Sequence, residues 1–301
     1  MKILLTGSDG FIGSSLQPWL KRQGHELLTP VLELRDANSV HQSLERNQAD
    51  LIIHLAALSH IPSCEKDPEL AQQINVLGTR YLLDAIRKYQ PRARLVFASS
   101  AQVYEAAQTA ELQSKTLVFD EHRKLQPQNA YARTKYEGEL AIHQANADFK
   151  LNATILRLFN HTHKSQSKDF FLPGVYHKIL DGKKSPTASG EIAVGSLDLD
   201  RDIGSIQDLI RAFSEVVNLN HADVQTFNVC SGKVKRLRKL AEGLAKKLNV
   251  TAKFVVDPTK VRPNEAVSLC GSHEKLSAAT GWRPLAHDED ALIQAFLTEA
   301  P

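Results

Sequence analysis

The 301-residue sequence has little cysteine and little excess of either charge. Its three cysteines, Cys64, Cys230 and Cys270, are far apart and odd in number, which does not indicate a disulfide framework. They predict reduced thiols in a cytoplasmic protein. Lysine and arginine number 37 against 34 aspartates and glutamates, so the net charge is only +3. We therefore do not expect a nucleic-acid-binding protein, which would concentrate more positive charge.

Long apolar runs are also missing. The N-terminus, MKILLTGSDG, has only a short apolar run before its glycines, which is typical of neither a signal peptide nor a membrane span. We expect no interaction with a membrane. The remaining composition, with 42% hydrophobic and 24% charged residues, is that of an ordinary globular protein. The length allows one large α/β domain or two lobes around a shared cleft.

Strand-like and helix-like segments alternate in the first half. Apolar periodicity predicts strands at 2–6, 51–55, 94–98 and 153–159, and helices at 11–22, 69–89 and 129–148. This order predicts βαβ units and a doubly wound parallel sheet of the Rossmann type. The pattern then loosens, with predicted strands at 224–229 and 253–256 and a helix at 237–248. We predict a dinucleotide-binding domain over 1–160 and a smaller α/β substrate lobe over 161–301, some segments of which could return to the first domain.

A glycine-rich loop follows the first predicted strand. Gly7, Gly10 and Gly13 have the spacing GxxGxxG at the start of a predicted helix. Gly7 would allow a tight turn, Gly10 would let a pyrophosphate approach the helix N-terminus, and Gly13 would let the helix pack close to the sheet. An ordinary βα turn is the alternative. The position after the first strand of an alternating chain favours a dinucleotide, either NAD(H) or NADP(H).

The end of the second predicted strand does not decide between these two cofactors. An acidic residue there would bind the ribose 2′-hydroxyl of NAD. Pro30 and Val31 occupy the expected strand end, whereas Glu33 comes later with Arg35 close behind it. Glu33 and Leu34 would instead border the adenine.

A tyrosine and a lysine lie four residues apart on a predicted helix. Tyr131 and Lys135 therefore share one face. A free phenol titrates near pH 10, and a neighbouring ammonium favours its ionised form. Ser100, at the end of a predicted strand, would bind the substrate oxygen beside the tyrosine. A surface helix with an accidental pair is the alternative, and the glycine loop argues against it.

Motifs in the same order along nearly the whole chain resemble the extended short-chain dehydrogenase/reductase family, in particular its nucleotide-sugar-modifying members. The first-half motifs are GSDGFIG at 7–13, HLAA at 54–57, NVLGT at 75–79, SSAQVY at 99–104, YARTK at 131–135 and RLFN at 157–160. The second half resembles GDP-6-deoxy-D-mannose reductases, through FNHT at 159–162, DLDRD at 198–202, NVCSG at 228–232, RPNE at 262–265 and TGWRP at 280–284.

The resemblance implies reduction of the C4 ketone of a GDP-4-keto-6-deoxy sugar by NADPH or NADH, as in GDP-rhamnose biosynthesis. Ser100, Tyr131 and Lys135 would be the catalytic residues. The expected cofactor-binding residues are Gly7, Asp9, Gly10, Phe11, Ile12, Gly13, Glu33, Leu34, Leu55, Ala56, Ala57, Asn75, Tyr131 and Lys135. The expected substrate-binding residues are Gln102, Asn160, Arg201, Arg262 and Glu265. The resemblance also implies a homodimer.

Gln102 narrows the reaction class. In related 4,6-dehydratases the corresponding position carries a carboxylate that serves proton abstraction at C5. The amide of Gln102 is no useful base near neutral pH. The resemblance therefore implies a reductase, with a nucleotide-sugar 4-epimerase as the closest alternative. A non-catalytic NADP-binding sensor is the third interpretation, although such a protein would not need Tyr131.

Several positions differ from the family pattern. Glu105, His163, Ile203 and Ser205 stand where other residues are usual, which leaves the sugar and the base of the substrate open. UDP- and dTDP-sugars are the alternatives to a GDP-sugar, and the product could be of the rhamnose or the talose type. His161 and His163 could face one metal ion, but no third ligand matches them, so we expect no metal site.

Overall fold

The computed structural model describes residues 1–107, 116–184, 191–260 and 268–299. The strands are β1 (Lys2–Thr6), β2 (Glu26–Leu28), β3 (Leu51–His54), β4 (Arg94–Ser100), β5 (Leu117–Phe119), β6 (Ala153–Leu158), β7 (Asn160–Thr162), β8 (Glu191–Val194), β9 (Asp200–Ser205), β10 (Gln225–Val229), β11 (Val234–Arg236), β12 (Lys253–Val256) and β13 (Ser268–Gly271). The helices are α1 (Phe11–Arg22), α2 (Ala37–Arg46), α3 (Ile61–Lys66), α4 (Pro68–Ala71), α5 (Gly78–Tyr89), α6 (Ala130–Phe149), α7 (Phe171–Lys184), α8 (Ile206–Asn218), α9 (Leu237–Lys247), α10 (Glu274–Thr280) and α11 (Glu289–Leu297).

The larger sheet has six parallel strands in the order β10-β6-β4-β3-β1-β2. Successive side chains of a strand point to opposite faces, and apolar residues of β1 accordingly enter two different cores. Ile3 packs with α1 and α8 on one face, whereas Leu4 packs with α2 and α5 on the other. A parallel sheet covered on both faces is the predicted doubly wound fold, and this fold class is confirmed.

Strand order reverses between β1 and β3, which are neighbours although β2 lies between them in sequence. In open α/β sheets, ligands bind at the carboxyl ends of the strands at such a switch point. The loops that follow β1 and β3 therefore lie where a ligand would be expected.

The two halves of the chain exchange strands. From the second half, β10 pairs with β6, and Phe227 of β10 joins the core that contains Ile3. From the first half, β5 pairs with β13 in a second sheet of order β11-β9-β13-β5. In that sheet β11 runs antiparallel to β9, and β7 also pairs with β9. The domain boundary at residue 160 stays a prediction, because segments on each side of it pair with strands on the other.

The segment after β2 differs from expectation. The strand ends at Leu28, so the prediction that Pro30 and Val31 occupy its end is wrong. Val31 is 98% exposed, and proline cannot donate to a strand ladder.

The predicted helix 69–89 is formed by α4 and α5, which a π-helical turn, Gln72–Leu77, joins. Gly78 opens α5 beside Leu34, where an added Cβ would lie 2.8 Å from the Leu34 Cβ. Across the described ranges, no helix is both long and apolar enough for a membrane span. The same ranges contain no group of three or more histidine, cysteine or acidic residues that could hold a metal ion.

Candidate active site

The loop between β1 and α1 needs its glycines for steric reasons. Gly7 has φ +68°, and a Cβ there would lie 2.7 Å from the Ala56 backbone nitrogen. A Cβ on Gly13 would collide with the carbonyl oxygen of Gly7 and approach the Cα of Ser8 to 2.7 Å. Gly13 therefore lets α1 pack against its own loop, not against the sheet as the sequence predicts.

Gly10 leaves room for a ligand. It is the N-cap of α1 but provides no side-chain hydrogen bond to the first turn, so backbone N–H groups there are available to an anion. Among the described residues beyond its neighbours in the chain and in the helix, a Cβ on Gly10 would meet only the carbonyl oxygen of Gly7, at 3.3 Å. Asp9 is exposed beside this opening, whereas Phe11 and Ile12 are half-buried against the core. The loop thus fits the pyrophosphate of a dinucleotide.

The loop after β3 is held firmly by buried polar groups. The Ala56 backbone N–H donates to the Thr6 hydroxyl at 3.2 Å. Asn75 is buried and bonds Leu58 twice, accepting from its N–H at 2.8 Å and donating to its carbonyl at 3.0 Å. Asn75 therefore positions the loop that contains Leu55, Ala56 and Ala57, and direct contact of these four residues with a cofactor stays a prediction.

The predicted adenine-binding residues have different surroundings. Glu33 is exposed and forms an ion pair with Arg35, with 3.0 Å between its carboxylate and the Arg35 Nε. This pairing lowers the pKa of Glu33. Leu34 is buried against Gly78, so its side chain supports the loop from the buried side. The exposed Glu33–Arg35 pair therefore does not show whether the protein binds NAD or NADP.

Ser100, Tyr131 and Lys135 lie together where β4 ends against α6. Asn129 caps α6, its side chain accepting a hydrogen bond from the Ala132 N–H. The Ser100 side chain lies beside the Tyr131 phenol, close enough to influence its ionisation. The Lys135 ammonium is buried, donates to the Ala98 carbonyl at 2.8 Å and lies 6.0 Å from the centre of the Tyr131 ring. The predicted catalytic group is therefore assembled.

The pKa of Tyr131 runs against expectation. Burial raises it to about 12, and the neighbouring Ser100 hydroxyl opposes this only in part. Burial also lowers the pKa of Lys135 to about 8. The sequence predicts that the ammonium favours the phenolate, but burial of the phenol dominates its pKa here. Tyr131 is thus a protonated phenol at neutral pH.

The predicted substrate residues that the structure describes lie on different elements. Gln102 is exposed, and its side-chain oxygen accepts a 3.4 Å hydrogen bond from Asn129. Asn160 is exposed on β7. Arg201 is half-buried on β9 and donates to the Asp200 carbonyl at 2.9 Å. Arg262 and Glu265 lie outside the described residues.

Sequence reasoning missed two charged residues behind the predicted catalytic group. Glu139 follows Lys135 by four residues, and its buried carboxylate pairs with Arg157 at 2.7 Å. The spacing of Tyr131, Lys135 and Glu139 along one helical face was the available signal. Nothing in the sequence pattern shows that Arg157 would meet them.

Comparisons with known proteins identify the family. The model of the NAD dependent epimerase/dehydratase family matches residues 3–230. The chain belongs to this family. The predicted family and the prediction of an NAD(P)-dependent enzyme are confirmed.

Individual relatives cover nearly the whole chain. The GDP-6-deoxy-D-mannose reductase of Pseudomonas aeruginosa is 31% identical over 287 residues, which span 94% of this chain and 92% of that one. The GDP-6-deoxy-D-talose 4-dehydrogenase of Aggregatibacter actinomycetemcomitans is 29% identical over 77% of this chain and 75% of its own. The structure of RMD from Pseudomonas aeruginosa complexed with NADPH superposes with a TM-score of 0.86, at 28% identity and 98% coverage of both chains.

Proposed function

We propose that this protein reduces the C4 ketone of a GDP-4-keto-6-deoxy sugar with NADPH or NADH. The observation that carries the proposal is the meeting of Ser100, Tyr131 and buried Lys135 at the end of β4, beside an amide, Gln102, and not a carboxylate. Two relatives that act on GDP-6-deoxy sugars, by their names, support the choice of substrate.

The loop of Gly7, Gly10 and Gly13 would hold the cofactor pyrophosphate, and the bound nicotinamide supplies the hydride. The exposed N–H groups at the start of α1 would satisfy the phosphate oxygens, and the helix dipole favours their negative charge. The loop after β3, anchored by Asn75, would border the same cofactor.

Tyr131 would donate the proton to the oxygen at C4. Its raised pKa keeps the phenol protonated at neutral pH, which is the form that reduction requires. Ser100 would hydrogen-bond the same oxygen and hold it beside the phenol. The proton leaves Tyr131 as negative charge develops on the oxygen, and the phenolate that remains is stabilised by Ser100 and by the ammonium of Lys135.

Lys135 would orient the nicotinamide ribose. One of its three donors binds the Ala98 carbonyl, and ribose hydroxyls are suitable acceptors for the others. Asn160, Arg201, Arg262 and Glu265 would bind the nucleotide diphosphate sugar, and the two guanidinium groups among them suit its phosphate oxygens. We also propose a cytoplasmic homodimer with a role in GDP-rhamnose biosynthesis.

The proposal is tested by oxidation of NADPH and of NADH with GDP-4-keto-6-deoxy-D-mannose as substrate. Turnover by the wild-type protein that collapses in Tyr131→Phe would support it and rank the two cofactors. Absence of oxidation, with NAD already bound in the purified protein, would support a nucleotide-sugar 4-epimerase instead. Cofactor binding without turnover of any nucleotide sugar would support the non-catalytic sensor.

A further inference from the structure

Three consecutive residues at the end of β4 contact three residues of α6 that are spaced four apart. The pairs are Ala98 with Lys135, Ser99 with Glu139 and Ser100 with Tyr131. Two of these pairs belong to the catalytic group proposed above. In the third pair, the Ser99 hydroxyl donates a hydrogen bond to the Glu139 carboxylate.

Glu139 is buried with a charged partner from a third element. Arg157 of β6 donates to both carboxylate oxygens, and the Glu139 and Arg157 side chains are only 2% and 6% exposed. Burial of two charges has a desolvation penalty, and the attraction between the charges offsets it only when their geometry is good. The buried pair is therefore weak evidence for a contribution to stability. Its contacts with the catalytic end of β4 indicate a role in placing that segment.

The Arg157 side chain extends this arrangement across the sheet. Ser99, Arg157 and Asn228 are direct neighbours in the registers of β4, β6 and β10. Arg157 donates to the Tyr104 hydroxyl at 3.2 Å, and that hydroxyl donates to the Asn228 side chain at 2.6 Å. Asn228 in turn donates to the carbonyl of Phe119 on β5. Glu139 is therefore one end of a chain of hydrogen bonds between side chains that reaches the second sheet.

We propose that Glu139 is a positioning residue for the reduction proposed above, on which this inference rests. By holding Ser99 and Arg157, it fixes the end of β4 so that Ser100 stays against Tyr131. It also places a negative charge one helical turn from Lys135.

The negative charge of Glu139 affects the pKa of Lys135. The titratable groups around this ammonium are His54 of β3, Cys64 of α3, and Tyr131 and Glu139 of α6. On β6, Arg157 faces Glu139. Burial lowers the pKa of Lys135, whereas Cys64 and Glu139 raise it. Removing the carboxylate therefore makes the ammonium lose its proton at a lower pH.

The test is the NADPH dissociation constant between pH 6 and 10, measured by nucleotide fluorescence on the full chain. The affinity of the wild-type protein should fall as pH rises through about 8, the pKa of Lys135. Glu139→Gln should move this midpoint down by about one pH unit. A wild-type affinity without a midpoint in this range, or an unchanged midpoint in Glu139→Gln, would overturn the inference.

Two further variants separate charge from packing. Ser99→Ala removes the hydrogen bond but no charge, so it should keep the wild-type midpoint while lowering kcat roughly tenfold at an unchanged KM.

If Glu139→Gln does not fold because Arg157 is left unpaired, Glu139→Met/Arg157→Met removes both charges and should still lower the midpoint, by a smaller amount. A wild-type midpoint in that folded double variant would overturn the inference. Because NADPH binding needs no sugar, failure of the reductase assay alone would contradict the proposed function and not this midpoint.

Discussion

The side chain of Ser100 lies beside the phenol of Tyr131, and the two residues come from the end of β4 and the first turn of α6. The two side chains meet between the sheet and the helix, at the point where a substrate oxygen would be bound. Ser100 also provides the hydroxyl that would stabilise the phenolate after proton transfer.

Ser100→Ala should lower kcat by about 10²-fold without changing the NADPH dissociation constant. The variant removes a donor to the reacting oxygen and to the phenolate but leaves the glycine loop intact. Steady-state kinetics together with nucleotide fluorescence would check this. A loss of NADPH affinity equal to the loss of kcat would show that Ser100 serves cofactor binding and not the chemical step.

Gly7→Ala should abolish cofactor binding and destabilise the fold. The new Cβ would lie 2.7 Å from the Ala56 nitrogen, in a backbone conformation that alanine already disfavours. Gly24→Ala is the matched control, since Gly24 also has a positive φ, +82°, but no described residue beyond its chain neighbours lies within 4 Å of an added Cβ. The control should lose about 1–2 kcal/mol of unfolding free energy and keep its NADPH affinity, whereas Gly7→Ala should lose more on both measures. Equal losses of stability would rule out the close approach as the reason for Gly7.

The stability of the protein should fall on acidification because of His54. This buried imidazole is bonded to the hydroxyls of Thr6 and Thr79, and burial lowers its pKa to about 3. The unfolded state binds the proton near pH 6.5 and the native state only near pH 3, so stability is lost as pH falls between these values. The loss should reach about 3 kcal/mol at pH 4.

Denaturant unfolding at pH 7 and pH 4 measures this dependence. His54→Gln should show a smaller decrease between the two pH values than the wild-type protein. His143→Gln, which changes an exposed histidine on α6, should leave the decrease unchanged. A decrease of the same size in all three proteins would assign it to other groups.

Arg201→Met should raise the KM for the GDP-sugar roughly tenfold, because a guanidinium that binds phosphate forms charge-assisted hydrogen bonds. The NADPH dissociation constant should not change, since Arg201 belongs to the second sheet. Arg238→Met, which removes an exposed partner of Asp198, is the control. An effect on NADPH affinity, or an equal effect in the control, would remove Arg201 from the substrate site.

Local features of the fold were predictable from sequence. The bounds of β1 and α1 agree with the predictions, because an apolar run, a glycine turn and helical spacing follow one another there without interruption. The partner of β10 was not predictable, since pairing with β6 joins residues about 70 positions apart and depends on the assembled sheet. Likewise, the Glu139–Arg157 pair forms only when α6 lies across β6.

The electrostatics of the site were less predictable than its composition. The spacing of Tyr131 and Lys135 places them on one helical face, but their pKa values depend on how deeply the fold buries them. Burial moves the pKa of Tyr131 up and that of Lys135 down. Neither shift follows from the spacing alone.

The most direct test of the proposed reduction follows the hydride itself. The protein would be incubated with GDP-4-keto-6-deoxy-D-mannose and NADPH that carries deuterium at both C4 positions of the nicotinamide, and the product would be examined by NMR and mass spectrometry. Reduction by this protein would place one deuterium at C4 of the sugar and yield one oxidised cofactor for each product molecule, with both lost in Tyr131→Phe. An unlabelled C4, with no net oxidation of NADPH, would contradict it.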